Sequence, residues 1–268
     1  MPPETFIKPA RSQLNLWRSL ARATVRRREK LFLAEGSKVV AELLKSKWKV
    51  HALLVMEQKQ VRWSSFVSEL NASVAVYTLT ETQWGRLSQD INSEGIMAVA
   101  EPTFCPDVSH LPTLPAEHII LAYRMNNPNN LGALIRTAHW FGIGTLLLSA
   151  DSVDFTNPKV VRTSMGSLFH LSIIPDQDFA SLLPSLKKSS LLVAGDVKNG
   201  APPHSCPQPT ALLLGSESHG LPESLIRLTD EQWYISGAGK ADSLSLPQAA
   251  AIMMYECTKE GTGIREQG

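Results

Sequence analysis

Three stretches of the chain carry side chains that could do chemistry, each where an apolar run gives way to a helical pattern. The first runs from Arg124 to Arg136, RMNNPNNLGALIR. Asn129 or Asn130 can accept from the free N–H groups at the start of a helix expected over Leu131 to Trp140. Gly132 permits close approach of a second backbone. A helix N-terminus with an arginine just inside it favours an anionic group, and a guanidinium meets phosphate in fork geometry. Leu131, Leu134, Ile135 and Ala138 form an i, i+3, i+4, i+7 stripe, so Arg136 lies beside the buried face and not on it. An ordinary cap followed by an exposed helix arginine would read the same way.

The second stretch, LLGSESHGLP (213–222), takes a strand into a glycine-bounded turn. Gly215 and Gly220 suit a turn tight enough to wrap a small ligand, and Pro222 suits the first turn of a following helix. Glu217 orients a substrate or holds a loop closed, or is only a favourable charge near a helix start. The stretch is neither the G-x-G-x-x-G dinucleotide pattern nor a Walker A loop. The third, ISGAGKADSLSLPQ (235–248), leads into an Ala/Met-rich helix ending near Tyr255 and Glu256. Ser245 and Gln248 fit a capping box with Pro247 in the first turn. Ser243 has no such structural duty. Met253 and Met254 read as core filler.

Other chemistries lack their residues. There is no G-x-S-x-G elbow, no H-E-x-x-H, and no metal-spaced His/Cys cluster, so neither nucleophilic hydrolysis nor a metal site is expected. Cys105, Cys206 and Cys257 are widely spaced and odd in number, which points to reduced, partly buried thiols. No apolar window is long enough to span a membrane and the N-terminus has no signal-peptide core, so a cytoplasmic protein is expected. The net charge is only +1, but residues 1–50 hold twelve Lys/Arg against four acids. That +8 end is the footprint of a face turned to phosphates, or of a solvated basic helix.

The elements that must position these loops divide at PTFCPDVSHLPTLPA (102–116), where four prolines favour an extended linker, placed at 104–116. Residues 1–103 read as a smaller α/β module. It has a basic helix over Arg11 to Arg28, strands at 31–35, 50–56, 74–79 and 96–101, and helices over Ser37 to Lys45 and near Trp63 to Leu70. A Thr80/Gln83 capping box opens a further short helix. Residues 117–264 alternate short apolar runs (118–123, 145–150, 171–174, 191–195, 211–215, 233–236) with helical segments. That pattern indicates an α/β domain with a parallel sheet covered on both faces. Ligands of such sheets bind beyond the carboxyl ends of the strands, where the three loops fall.

The order and spacing of the loops resemble the SpoU (TrmH-type) branch of the SPOUT class. N-x-G-x-x-x-R at 130–136, G-S-E-x-x-G-L at 215–221, and S-L-x-x-x-x-A at 243–249 before the helix ending Y-E at 255–256 look like the family's three motifs. VDFTNPKVVRTSMGSLFHL (153–171) resembles bacterial members. FLAEGSKVVAELL (32–44) and EGIMAV (94–99) resemble the family's ribosomal-protein-like substrate-recognition domain. The resemblance implies an RNA methyltransferase that moves a methyl group from S-adenosylmethionine to a ribose 2′-hydroxyl. Ribosomal RNA is the preferred substrate, and transfer RNA a possible one. It also implies a deep trefoil knot, a departure from the usual absence of knots, and a homodimer with no metal. By motif, the catalytic set would be Asn130, Arg136, Glu217, Ser243 and Ser245, with Arg136 activating the hydroxyl. Cofactor contacts would come from Leu214, Gly215, Gly220, Ile235, Ser236 and Leu244. Two positions depart from the pattern: Ser245 stands where the family has Asn, and Ile235-Ser-Gly where it has I-P-M. A non-catalytic RNA-binding ribosome assembly factor on the same scaffold is the alternative reading. A nucleotide-dependent oxidoreductase would need the missing glycine fingerprint.

Overall fold

The computed structural model describes residues 6–68, 74–103, 117–196, 199–240 and 243–259. The proline-rich stretch expected as a linker, 104–116, and Cys105 within it lie outside the described residues. The chain forms two compact units, one of residues 1–103 with 156–169, the other of 104–155 with 170–268.

The first unit holds a mixed four-stranded sheet of β1 (Phe32–Glu35), β2 (Lys49–Met56), β3 (Ala75–Leu79) and β4 (Ile96–Glu101). The spatial order is β1-β4-β2-β3; β4 runs antiparallel to β1 and β2, and β2 parallel to β3. α1 (Arg11–Ser19) and α2 (Ala23–Glu29) precede the sheet, and α3 (Ser37–Lys45), α4 (Gln60–Ser68) and α5 (Glu81–Trp84) connect its strands. The Thr80/Gln83 box opens α5 as expected, with reciprocal bonds of 2.9 and 3.3 Å.

The single basic helix expected over Arg11 to Arg28 is instead two helices. Trp17 and Leu20 are buried, and the chain bends after Leu20. The Arg26 guanidinium, itself buried, donates to the Leu20 and Ala21 carbonyls at 2.9 and 3.0 Å and to Thr156 Oγ1 at 3.2 Å. Carbonyls that a continuous helix would satisfy internally are bonded by a side chain, so Arg26 leaves the basic face and becomes a core strut. The sequence gives no breaker at 20–22 to announce the bend.

Residues 156–169 join this unit although they follow the linker in sequence. They carry α7 (Pro158–Thr163), capped by Asn157, whose Oδ1 accepts from Lys159 N at 2.9 Å. Phe169 packs edge-on to Trp48 at 5.2 Å and lies 6.3 Å from Phe32. Gly166, at φ +90°, lies where a side chain would strike Glu42.

The second unit is built on a six-stranded sheet in which every pairing is parallel: β5 (Ile119–Ala122), β6 (Thr145–Ser149), β7 (Ser172–Gln177), β8 (Leu191–Asp196), β9 (Thr210–Leu214) and β10 (Glu231–Tyr234). The order is β10-β8-β9-β5-β6-β7. Each apolar run seen in the sequence became a strand, because strands buried on both faces read as continuous Leu, Ile and Val. Ile119, Leu121, Leu147, Ile174, Leu192 and Leu213 pack with Phe179, Leu183 and Leu186 of α8 (Phe179–Leu186) and with Leu225 of α9 (Glu223–Ile226). Each such side chain contributes roughly 1.5–3 kcal/mol by leaving water. α6 (Pro128–Trp140) lies against α10 (Leu246–Thr258). Cys206 and Cys257 are buried free thiols in this unit. They touch, and the contact brings the Cys206 thiol down to about 7 and pushes that of Cys257 up. Among the described residues no helix is long and apolar enough to cross a membrane.

Candidate active site

Strand order reverses between β9 and β5, and the chemistry-bearing loops leave the carboxyl ends of these two strands and of β10. At the end of β9 the chain enters Gly215, where a β-carbon would stand 2.3 Å from the Gly220 carbonyl carbon. Ser216 and Gly220 then pair across a tight turn, Gly220 N donating to Ser216 O at 2.8 Å with Gly220 at φ +64°. Glycine is required at Gly215 for lack of space and favoured at Gly220 by its left-handed backbone. Pro222 falls one residue earlier than expected, on the N-cap of α9 and not in its first turn.

Glu217, exposed at the tip of that turn, accepts from the backbone N–H of Leu246 at 3.3 Å, the first residue of α10. This contact fits the loop-holding role and equally a favourable charge at the start of a helix. Ser245 is the N-cap of α10 with Pro247 in the first turn, as expected. Its backbone N–H and its hydroxyl both donate to Gln248 Oε1, at 3.3 and 2.9 Å.

Between the turn and α10 lies a cavity of about 240 Å³. It gathers seven of the expected residues: Leu214, Gly215, Glu217, Gly220, Ser243, Leu244 and Ser245. It adds Gly195 at the end of β8, Ser216, Leu221 and Met253, which sequence reasoning missed. Met253 packs into the space left by the missing side chain of Gly195, with its Sδ 3.0 Å from where a β-carbon would sit. It is therefore core filler and cavity floor at once. A glycine closing the β8 run was the available signal for that end of the cavity. Ser216 Oγ is buried and has no hydrogen-bond partner among the described residues. Such a group costs stability unless a ligand satisfies it.

Four expected residues are not brought to this cavity. Ile235 is half-buried and Ser236 exposed on the segment leaving β10, and neither lines it. Asn130 and Arg136 lie on α6, half-buried and exposed respectively. The helix starts at Pro128 with Asn127, not Asn129 or Asn130, as its cap; Asn127 Oδ1 accepts from Asn129 N at 2.9 Å. A proline at the first helical position moved the start three residues back. The segment entering α6 is pinned to the one after β6. Arg124, at φ +50°, donates its N–H to Ser149 Oγ at 2.8 Å and its guanidinium to Asp151 at 3.1 Å, and Met125 N donates to Ser152 Oγ at 3.1 Å. Among the described residues no His, Cys, Asp or Glu side chains gather into a metal site.

Residues 117–255 match the SpoU rRNA Methylase family, more than half of the chain, and residues 11–98 match an MRM3-like substrate binding domain. The chain belongs to the SpoU rRNA methylase family. Within the family it is 30% identical over 245 residues to the 23S rRNA (guanosine(2553)-2′-O)-methyltransferase RlmP of Bacillus subtilis, spanning 89% of this chain and 93% of that one. It is 26% identical to a 23S rRNA (uridine(2479)-2′-O)-methyltransferase of Streptomyces viridochromogenes, over 97% of this chain and 93% of its relative. The fold is that of the SpoU methyltransferase AviRb from the same organism, solved in complex with the cofactor AdoMet. It superposes with a TM-score of 0.80 at 24% identity, covering 96% of this chain and 100% of that one. The SpoU match spans all three motif loops.

Proposed function

We propose that the protein is an S-adenosylmethionine-dependent methyltransferase acting on a ribose 2′-hydroxyl of ribosomal RNA. In this reading residues 1–103 recognise the substrate and 117–264 form the catalytic domain, joined by the linker and working in the cytoplasm. Structured ribosomal RNA is preferred over transfer RNA because the close relatives act on 23S rRNA and a separate recognition domain is present.

The observation that carries the reading is the cavity between the 215–220 turn and the start of α10. Its residues suit the cofactor: Ser216 Oγ is buried and without a partner among the described residues, Gly220 leaves its backbone bare, and Leu214, Leu221 and Met253 give an apolar lining. Leu214 to Glu217, Gly220 and Ser243 to Leu246 would hold it, while Ile235 and Ser236 join only if their segment closes inward. When bound, the cofactor supplies an electron-poor methyl group on a sulfonium.

The chain's own residues then handle the nucleophile. A ribose hydroxyl is a poor nucleophile until its proton is drawn away. Arg136, exposed on α6, binds the 2′-oxygen and the adjoining phosphate and stabilises the negative charge that develops there. Asn130, nearly two turns earlier on α6, orients the ribose, and Glu217 and Ser243 set the near wall. The deep trefoil knot implied by the resemblance belongs to the same reading, as does the homodimer. Trp140, Ile252 and Tyr255 expose large apolar surface on α6 and α10, at 76, 40 and 55%, and a second copy would cover them. Transfer of tritium from labelled S-adenosylmethionine to unmodified ribosomal RNA, recovered as a ribose-methylated nucleotide, tests the reading. Cofactor and RNA binding with no transfer would instead mean an assembly factor on the same scaffold.

A further inference from the structure

The first unit contains a cavity of about 630 Å³ that lies apart from the three motif loops. Trp84 and Met56 floor it; Gln58, Glu81, Gln89, Ile91 and Asn92 are among the residues around it. The 88–93 loop that forms one wall is held in place by Glu35. Its Oε1 accepts from Ser88 Oγ at 2.5 Å and Ser93 Oγ at 2.7 Å, and its Oε2 from Gln89 N at 3.4 Å. Trp84 Nε1 donates to Ser93 Oγ at 3.1 Å, Lys59 Nζ donates to Ser93 O, and Arg162 pairs with Asp90 at 3.5 Å. A loop tied at so many points presents its remaining side chains in fixed positions. Those are Gln89, Ile91 and Asn92. Ile91 is fully exposed, and neither side-chain amide has a hydrogen-bond partner among the described residues.

An isoleucine kept in water between two solvent-facing amides without a protein partner among the described residues has no folding role. An apolar surface beside paired donor and acceptor groups matches a nucleobase, which has a flat apolar face and a hydrogen-bonding edge. A phosphate fits less well, because Lys59, the cation among the lining residues, is engaged with the Ser93 carbonyl while Glu81 brings negative charge to the rim. A protein partner fits less well too, because Ile91 is the only exposed large hydrophobic at this cavity among the described residues, far short of an interface. The N-terminal fifty residues, with twelve basic side chains against four acidic, supply backbone attraction for RNA without using the cavity. We propose that this cavity receives an unpaired nucleobase of the RNA substrate, read by Gln89 and Asn92 and covered by Ile91. The proposal rests on RNA being the substrate.

The test is fluorescence anisotropy of the full chain with two probes, a random-sequence single-stranded RNA and a blunt RNA duplex of equal strand length. Ile91→Asp, Gln89→Ala and Asn92→Ala change exposed side chains, and unchanged melting temperatures verify that each variant folds. Each should weaken single-strand binding by roughly ten-fold, the size of one lost base contact, and leave duplex binding alone. Unchanged single-strand affinity in all three overturns the proposal while leaving RNA as the substrate. Equal losses on both probes overturn it as well, because they mean contact with the backbone. A wild-type chain that binds neither probe overturns the RNA reading and this one with it.

Discussion

The two sides of the candidate active site are built differently. On the β9–α10 side every element is already tied: Gly215 against Gly220, Glu217 to Leu246, Ser245 to Gln248, Met253 into the hollow of Gly195. On the α6 side the helix is well capped and its stripe buried, yet Arg136 makes no hydrogen bond or ion pair among the described residues. A preformed cavity on one side and, on the other, an arginine unengaged among the described residues is the division expected when a small ligand binds a rigid pocket and a charged polymer supplies the remaining contacts. Rigid positioning lowers the cost of binding the first, and the second brings its own phosphate for the guanidinium.

The sharpest way to break this comparison is Arg136→Ala. Methyl transfer should fall by roughly 10²-fold or more, the scale of a lost proton-transfer or charge-stabilising group, while calorimetric cofactor affinity stays at the wild-type value. Arg136→Lys should recover little, since a point charge cannot reproduce the fork. A parallel loss of cofactor binding would show that the two sides are one.

Gly215→Ala attacks the other side. Its methyl group meets backbone that cannot swing away, so the turn must open at a cost of about 1–3 kcal/mol, and cofactor affinity should collapse with it. A melting curve and a titration that both match wild type would mean that the turn is softer than its packing implies.

Ser216→Ala separates cavity from fold more finely. Removing a buried hydroxyl without a partner should leave stability equal or slightly raised, while cofactor binding weakens several-fold, the scale of about one hydrogen bond. Equal affinity would remove Ser216 from the site.

The smallest effect concerns what lies behind α10. His118 is half-buried at the start of β5, 3.5 Å from Cys257 Sγ, and burial holds its pKa below the ordinary 6.5. As pH falls through that value the unfolded chain takes up a proton that the folded one resists, so stability is lost toward acid and kept above it. His118→Gln should flatten the fall in melting temperature between about pH 8 and about pH 5.

Much of this was legible in the residues. Continuous apolar runs found every strand of the parallel sheet, because burial on both faces leaves no other pattern. The Leu131 to Ala138 stripe placed Arg136 on an exposed face. The G-S-E turn and the S-L-S-L-P-Q cap located the cavity because each needs a residue type that backbone geometry alone demands. What escaped depended on contacts between distant residues. Nothing in Leu20-Ala21-Arg22 announces a bend that Arg26 makes possible from within the core. Met253 looks like filler until Gly195 is beside it. Ile235 and Ser236 were placed at the cavity by motif position, and neither lines it.

The packing of residues 156–169 into the first unit bears on how such proteins can be taken apart. The stretch matching the SpoU family, 117–255, includes Thr156 and Phe169. A single cut in 104–116 would thus take Thr156 from Arg26 and Phe169 from Phe32 and Trp48. Recombination that exchanged residues 1–103 for another sequence at that boundary would inherit a mismatched core unless α7 travelled with them. The two units alternate along the sequence, so variation in the first is expected to come by substitution within it more readily than by replacing it whole.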